Sequence, residues 1–193
     1  TSPPAVIDGF QRIVSHGTFG YTYCFDQFYD AVVGFQRERH HVNVEHDWIT
    51  LTYGTVSTLH YLVQAFCQPG DSVMMNTPVY DPFAMATQRQ GVTVLANPLQ
   101  ITDNRYQLDF SLVESQLKTH RPKLWLFCSP HNPSGRIWTL AEIRQVSELC
   151  QRYGVILVVD EVHAEHLLEG KFTSCLASGA ATQDNLILLT SPN

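Results

Sequence analysis

Residues 155–166 read "VILVVDEVHAEH". Five aliphatic residues, Val155 to Val159, run without interruption from Gly154 to Asp160. A strand with one face in water alternates apolar and polar residues. A continuous apolar run of this length marks a strand buried on both faces, the kind found in parallel sheets covered by helices. Asp160 then falls where such a sheet opens, since ligands of open α/β sheets bind outside the carboxyl ends of the strands. A carboxylate that ends a buried strand is shielded from water and needs a partner. Three partners fit the residues. Asp160 can cap the next segment. It can join Glu161, His163, Glu165 and His166 around a metal, because carboxylate and imidazole suit zinc or iron, although so short a run does not turn five side chains inward. Or it can face a cationic group of a bound ligand.

The same pattern recurs outward from this stretch. "RPKLWLFCS" (121–129) and "NLILLT" (185–190) are further buried strands, and "DSVMMNT" (71–77) and "GVTVLAN" (91–97) are shorter ones. "WITLTYG" (48–54) also reads as a strand. Helical spacing marks "PAVIDGFQRIVSH" (4–16), with Val6, Phe10, Ile13 and Val14 on one face, and "FDQFYDAVVGFQRERH" (25–40). "TLHYLVQAFCQPG" (58–70) is a helix closed by Pro69-Gly70. "TLAEIRQVSELCQRYG" (139–154) opens on a Thr139/Glu142 capping box and closes on Gly154. The expectation is an α/β fold with a mostly parallel central sheet and helices on both faces.

Composition narrows the function classes. The chain has 193 residues, 44% hydrophobic and 16% charged, with a net charge of −6 and no block of either sign. That distribution speaks against nucleic acid as a partner. The apolar runs are too short to span a bilayer, and "TSPPAVIDGF" lacks the basic start and apolar core of a signal peptide. The five cysteines form no CxxC pair and read as buried free thiols of a cytoplasmic protein. His40, His41, Glu45 and His46 in "HHVNVEHD" read as a solvated loop on the sheet edge opposite Asp160.

Gly, Pro, Asn, His and Ser concentrate in the segments that follow strands. "YGTVSTL" places Gly54, Thr55 and Ser57 where a helix begins, and free N–H groups at a helix start hold an anion. Ser and Thr also cap helices with no ligand present. "NTPVYDPF" puts Tyr80 beside two prolines, as core packing or as a flat platform. "SPHNPSGRIW" is a rigid loop in which a simple turn explains Pro133 and Gly135 but not Asn132, whose amide can reach a ligand oxygen. Together the loops offer an anion cradle, an aromatic face, a neutral donor and a buried carboxylate. A flat, phosphorylated, nitrogen-containing ring uses all four, and pyridoxal phosphate is such a ligand.

In order along the chain, "HGTFGYT", "YGTVSTL", "NTPVYDPF", "CSPHNPSGRIWT", "VVDEVHAEH" and "LLTSPN" resemble the fold-type-I pyridoxal-phosphate enzymes, the class I/II aminotransferases in the broad sense. Within them the sequence is most similar to the bacterial cystathionine β-lyase and C–S lyase branch. The resemblance implies that Asp160 pairs with the protonated pyridine nitrogen, that Asn132 donates to the phenolic oxygen, and that His163 lies near the same oxygen. It implies that Tyr80 stacks on the ring. It assigns the phosphate to Thr55, Val56 (through its backbone), Ser57 and Ser191, with Tyr21 reaching the phosphate of a neighbouring subunit in a homodimer. "YGTVSTL" departs from the family in lacking the usual Pro-Gly or Ser-Gly. In the family a lysine follows the serine by three positions. Ser191 is followed by Pro192 and Asn193, so the Schiff-base lysine is expected immediately after Asn193. Lys118, Lys123 and Lys171 lie elsewhere in the pattern. Residues 1–193 are therefore expected to be an incomplete cofactor-binding large domain, lacking an N-terminal segment, the lysine and a smaller C-terminal domain, and inactive alone. The implied reaction is C–S β-elimination from cystathionine or a cysteine-like amino acid. Transamination is the alternative, and a regulatory module that keeps the cofactor fold is a third reading.

Overall fold

The apolar runs become neighbouring strands in a computed structural model that describes residues 2–178 and 183–192. In chain order the elements are α1 (Pro4–His16), α2 (Asp26–His40), α3 (Thr55–Phe66), β1 (Ser72–Thr77), α4 (Asp81–Gln88), β2 (Thr93–Pro98), β3 (Gln100–Thr102), β4 (Arg105–Gln107), α5 (Phe110–His120), β5 (Leu124–Cys128), α6 (Leu140–Tyr153), β6 (Ile156–Asp160) and β7 (Leu186–Leu189). Five strands form one sheet in the order β2-β1-β5-β6-β7, every pairing parallel. The remaining two make an antiparallel hairpin, turned through Asp103 and Asn104, both at positive φ.

Side chains alternate between two cores, as the period of a strand requires. On one face Val73, Met75, Leu124, Leu126, Val158 and Leu189 pack against Leu59 and Val63 of α3 and Phe83 and Ala86 of α4. On the other, Met74, Trp125, Phe127, Leu157 and Val159 pack against Val113 and Leu117 of α5 and Ile143, Val146 and Cys150 of α6. This is why β5 is buried at every position and why its sequence shows no alternation. Helix α6 carries the expected capping box between Thr139 and Glu142, and Gly154 closes it at φ 66.

The strand order positions the site. From β1 the chain moves outward to β2, then returns to the other side of β1 for β5, β6 and β7. Crossovers between parallel strands are right-handed, so opposite directions of travel put α4 and α6 on opposite faces. The reversal opens a crevice beyond the ends of β1 and β5, the usual ligand position of such sheets. The segments that follow those two strands carry Tyr80 and Asn132.

One expectation changes. Residues 48–54, read as a strand, contain none. A short 3-10 helix (His46–Trp48) leads into irregular chain. Trp48, Leu51 and Tyr53 are exposed. Among the described residues no strand pairs with the segment. Instead the Thr58 hydroxyl bonds Thr52 Oγ1 at 2.6 Å and Gly54 O at 2.9 Å, which turns the chain into α3. Helix α1 forms over the expected residues, but its apolar stripe is uncovered: Val6, Phe10, Ile13 and Val14 are all exposed.

Candidate active site

The first wall is the start of α3. Gly54 precedes it at φ 96, a left-handed conformation that disfavours any residue with a Cβ. No side chain caps the helix, and its first backbone bond runs from Thr58 N–H to Gly54 O at 3.1 Å. The N–H groups of Thr55, Val56 and Ser57 are thus the donors at the open end, with the positive end of the helix dipole behind them. Thr55 and Ser57 are themselves half-buried and carry hydroxyls.

The second wall is the loop after β5. His131 N–H donates to Arg136 O at 2.8 Å and Gly135 N–H to His131 O at 2.7 Å, closing a tight turn around Asn132. The His131 ring is buried against Trp138, its Nδ1 2.7 Å from Ser134 Oγ. Burial pulls its pKa down to about 4, so the imidazole is neutral at pH 7. Arg136 spans the base of the loop. It donates to both Glu142 oxygens at 2.8 and 3.0 Å and to Tyr106 O at 2.9 Å, and lies over the Trp138 ring at 5.2 Å. Asn132 is half-buried, and its side-chain amide has no hydrogen-bond partner among the described residues.

The third wall is the end of β6. Asp160 is 6% exposed, and one of its oxygens accepts Val162 N–H at 3.0 Å. Burial raises its pKa, against the Val162 N–H and nearby His163, which lower it. A desolvated carboxylate of this kind favours a cationic partner, which restores the charged form. Glu161 turns the other way and is buried, accepting Cys175 N–H at 2.7 Å. Its own N–H donates to Leu189 O at 2.9 Å, so it joins β6 to β7. Burial pushes its pKa up to about 7. His163 is exposed, edge-on to His166 with ring centroids 6.2 Å apart.

The remaining candidates are spread more widely. Tyr80 precedes α4 with 46% of its surface open, so one part of the ring is free to stack. Ser191 is half-buried two residues beyond β7. Tyr21 is fully exposed in the irregular segment between α1 and α2, and none of the described residues covers it. Asn193, after which the lysine is expected, lies outside the described residues. The histidine cluster needs correction at His40 alone, since His41, Glu45 and His46 are exposed as expected. His40 Nε2 pairs with Glu165 Oε1 at 2.9 Å and Arg39 with Glu165 Oε2 at 2.8 Å. The His40 ring sits between Phe35 and Phe172. So this residue docks α2 onto the loop after β6, on the site's edge of the sheet. Its motif is read as solvated because the partner lies more than a hundred residues away.

The donor set fits a flat anionic ligand with a cationic end: three N–H groups and two hydroxyls at a helix start, an aromatic face, an amide donor and a buried carboxylate. Folds of this class are parallel α/β cofactor domains with the ligand crevice at the sheet's reversal point. The aminotransferase class I and II family model matches residues 2–192, and the chain belongs to that family. It is 38% identical over 169 residues to the cystathionine beta-lyase PatB of Bacillus subtilis (strain 168), covering 88% of this chain and 44% of that protein. Cystalysin from Treponema denticola, whose crystal structure contains pyridoxal 5′-phosphate, superposes with a TM-score of 0.93 at 31% identity, over 100% of this chain and 49% of that one. A pyridoxal-phosphate-bound C-S lyase from Staphylococcus hominis gives 0.93 at 26% identity, over 98% of this chain and 49% of that one. The chain thus spans about half the length of the relatives it matches. Among the described residues, no helix is long and apolar enough to cross a membrane.

Proposed function

We propose that the whole protein is a pyridoxal-phosphate-dependent C–S β-lyase, of which this chain is the cofactor-binding part, acting on cystathionine or a cysteine-like amino acid to give pyruvate, ammonia and a thiol. The observation that carries the cofactor reading is Asp160, a desolvated carboxylate at the end of β6 with one oxygen left over from the Val162 bond, and the likeness to a cystathionine beta-lyase and to a C-S lyase favours the lyase outcome. When bound, pyridoxal phosphate supplies an electron sink for the charge left as the amino acid loses its Cα proton. Asp160 keeps the proton on the ring nitrogen, and its buried setting makes that pairing strong. Asn132 donates to the phenolic oxygen, and His163 stands beside it. Tyr80 covers one face of the ring and excludes water from it. Thr55, Val56 and Ser57 hold the phosphate on the open end of α3, with Ser191 adding a hydroxyl. Tyr21 reaches the phosphate in a second copy of the chain, which accounts for an exposed tyrosine with no cover of its own.

The same residues serve transamination, the second reading, which the family match favours as such. The outcome turns on where the proton goes and whether the Cβ–S bond breaks. Incubating the whole protein with cystathionine, and separately with an amino acid and a 2-oxo acid, separates the two. Pyruvate and a thiol are expected in the first mixture. A new amino acid in the second, with no pyruvate in the first, would replace lyase by aminotransferase. The cofactor's lysine is expected directly after Asn193. Borohydride reduction and peptide mass analysis should find the pyridoxyl label there, and a label on Lys118, Lys123 or Lys171 would overturn that placement.

A further inference from the structure

The turn that presents Asn132 is closed by a sulfur atom. Cys128 ends β5 opposite Asp160 in the sheet register, and it is buried. Its Sγ donates to Pro130 O at 3.1 Å and accepts Asn132 N–H at 3.4 Å. One thiol therefore satisfies an acceptor and a donor of the same turn, which a methyl or a thiolate cannot do. The main chain of the same residue is held as firmly. Trp138 Nε1 donates to Cys128 O at 2.9 Å, and the next N–H, that of Ser129, donates to Asp160 O at 2.9 Å. Asp160 and Asn132 are thus linked through one residue, on one side by the sheet and on the other by the thiol.

We propose that Cys128 is a positioning residue that fixes Asn132 relative to Asp160, so that amide donor and carboxylate meet two fixed positions of one flat ring. The inference rests on the ligand roles given above to Asp160 and Asn132. The clamp works only as S–H, since a thiolate has no proton for Pro130 O. Burial meets this condition by pushing the thiol's pKa up to about 12, so it stays protonated at any ordinary pH. The sulfur acts structurally and takes no part in bond making.

The test uses the whole protein with three variants, Cys128→Ala, Cys128→Ser and Asn132→Ala. Two readouts go with them: amide hydrogen exchange over residues 129–135, measured without added cofactor, and the pH midpoint of the visible band of bound pyridoxal phosphate. In Cys128→Ala, exchange at Asn132 should quicken several-fold. The midpoint should move in the same direction as in Asn132→Ala but less far, by roughly half a pH unit. Cys128→Ser, whose hydroxyl can both donate and accept, should recover part of both. If Cys128→Ala leaves exchange and midpoint at wild-type values, the thiol only fills space and the proposal falls. If Cys128→Ala does not fold, Cys128→Ser with wild-type exchange and midpoint supports the clamp, and Cys128→Ser with both changed as far as in Asn132→Ala overturns it. A midpoint that ignores even Asn132→Ala overturns this proposal and the role of Asn132 together. Failure of the wild-type protein to bind pyridoxal phosphate sinks the proposed function, while the exchange measurement still decides whether the thiol holds the turn.

Discussion

The two ends of the chain are built in opposite ways. From β5 onward, apolar side chains are buried on both faces of a sheet, and the loops that leave it are tied down by buried polar groups: the Arg136–Glu142 pair, Trp138 on Cys128 O, Glu161 on Cys175 N–H. From residue 4 to residue 25, the apolar side chains lie in the open. Phe10, Val14, Phe19, Tyr21, Tyr23 and Phe25 are all exposed, and α1 buries none of its residues. The first region positions groups to within hydrogen-bond geometry by its own contacts. The second has the composition of a packed surface without the packing, which agrees with the proposal that Tyr21 serves a second copy.

Substitutions should separate the two regions by size of effect. Phe127→Ala removes a ring buried between Trp125 and Trp138 and should cost about 3–5 kcal/mol in a denaturant titration. A cost below about 1 kcal/mol would mean that the sheet's core is loosely packed. Glu161→Gln tests the polar tie. Folded Glu161 holds its proton to about pH 7, while the unfolded chain releases it in the usual carboxylate range. The folded state therefore binds more protons in that window, and stability falls as pH rises from about 4.5 to about 7. Glutamine cannot ionise, so the variant should lose much of this slope and gain on wild type by on the order of 1–3 kcal/mol between pH 4 and pH 8, read from Tm against pH. Parallel Tm curves would contradict the buried placement of Glu161. Tyr80→Ala should weaken cofactor binding by roughly 0.5–1.5 kcal/mol with a smaller change in folding. A sharp loss of stability at unchanged affinity would make Tyr80 a core residue. The smallest effect is expected from Phe10→Ala, within about 0.5 kcal/mol for the protein diluted to a single copy. A larger loss there would show that α1 is covered within its own chain.

The same contrast decides what was legible in the sequence. Doubly buried strands announce themselves, because "LWLFC" and "VILVV" have no polar residue to place in water, and the groups that follow them are directed to one edge by the sheet itself. The positions of Asp160, Asn132 and Tyr80 at or just beyond strand ends were readable for that reason, whereas the open end of α3 follows no strand. The segment 48–54 misled because β-branched and aromatic residues also occur in exposed irregular chain, and pairing depends on a neighbour that a local pattern does not contain. The hairpin at 100–107 and helices α4 and α5 are short and weakly patterned, and the sequence reading singled none of them out. The ties that hold the site were hidden for a third reason. Glu161 meets Cys175 across 14 residues, Arg136 meets Tyr106 across 30, and His40 of α2 meets Glu165 in the loop after β6. Cys128 and Asn132 are only four apart, yet their bond depends on how the loop turns, which Trp138 and Arg136 set at its far end through Cys128 O and Tyr106 O.

The central claim is that Asp160 meets a protonated ring nitrogen. Pyridoxal phosphate isotopically labelled at that nitrogen, bound to the whole protein and followed by nitrogen NMR, reads its protonation directly. The wild-type protein should hold the nitrogen protonated near pH 7. Asp160→Ala should release that proton, and turnover should fall by roughly 10³-fold or more, about 4 kcal/mol in the barrier. The same protonation state in both proteins, with turnover near wild type, would mean that Asp160 does no more than cap the segment after β6.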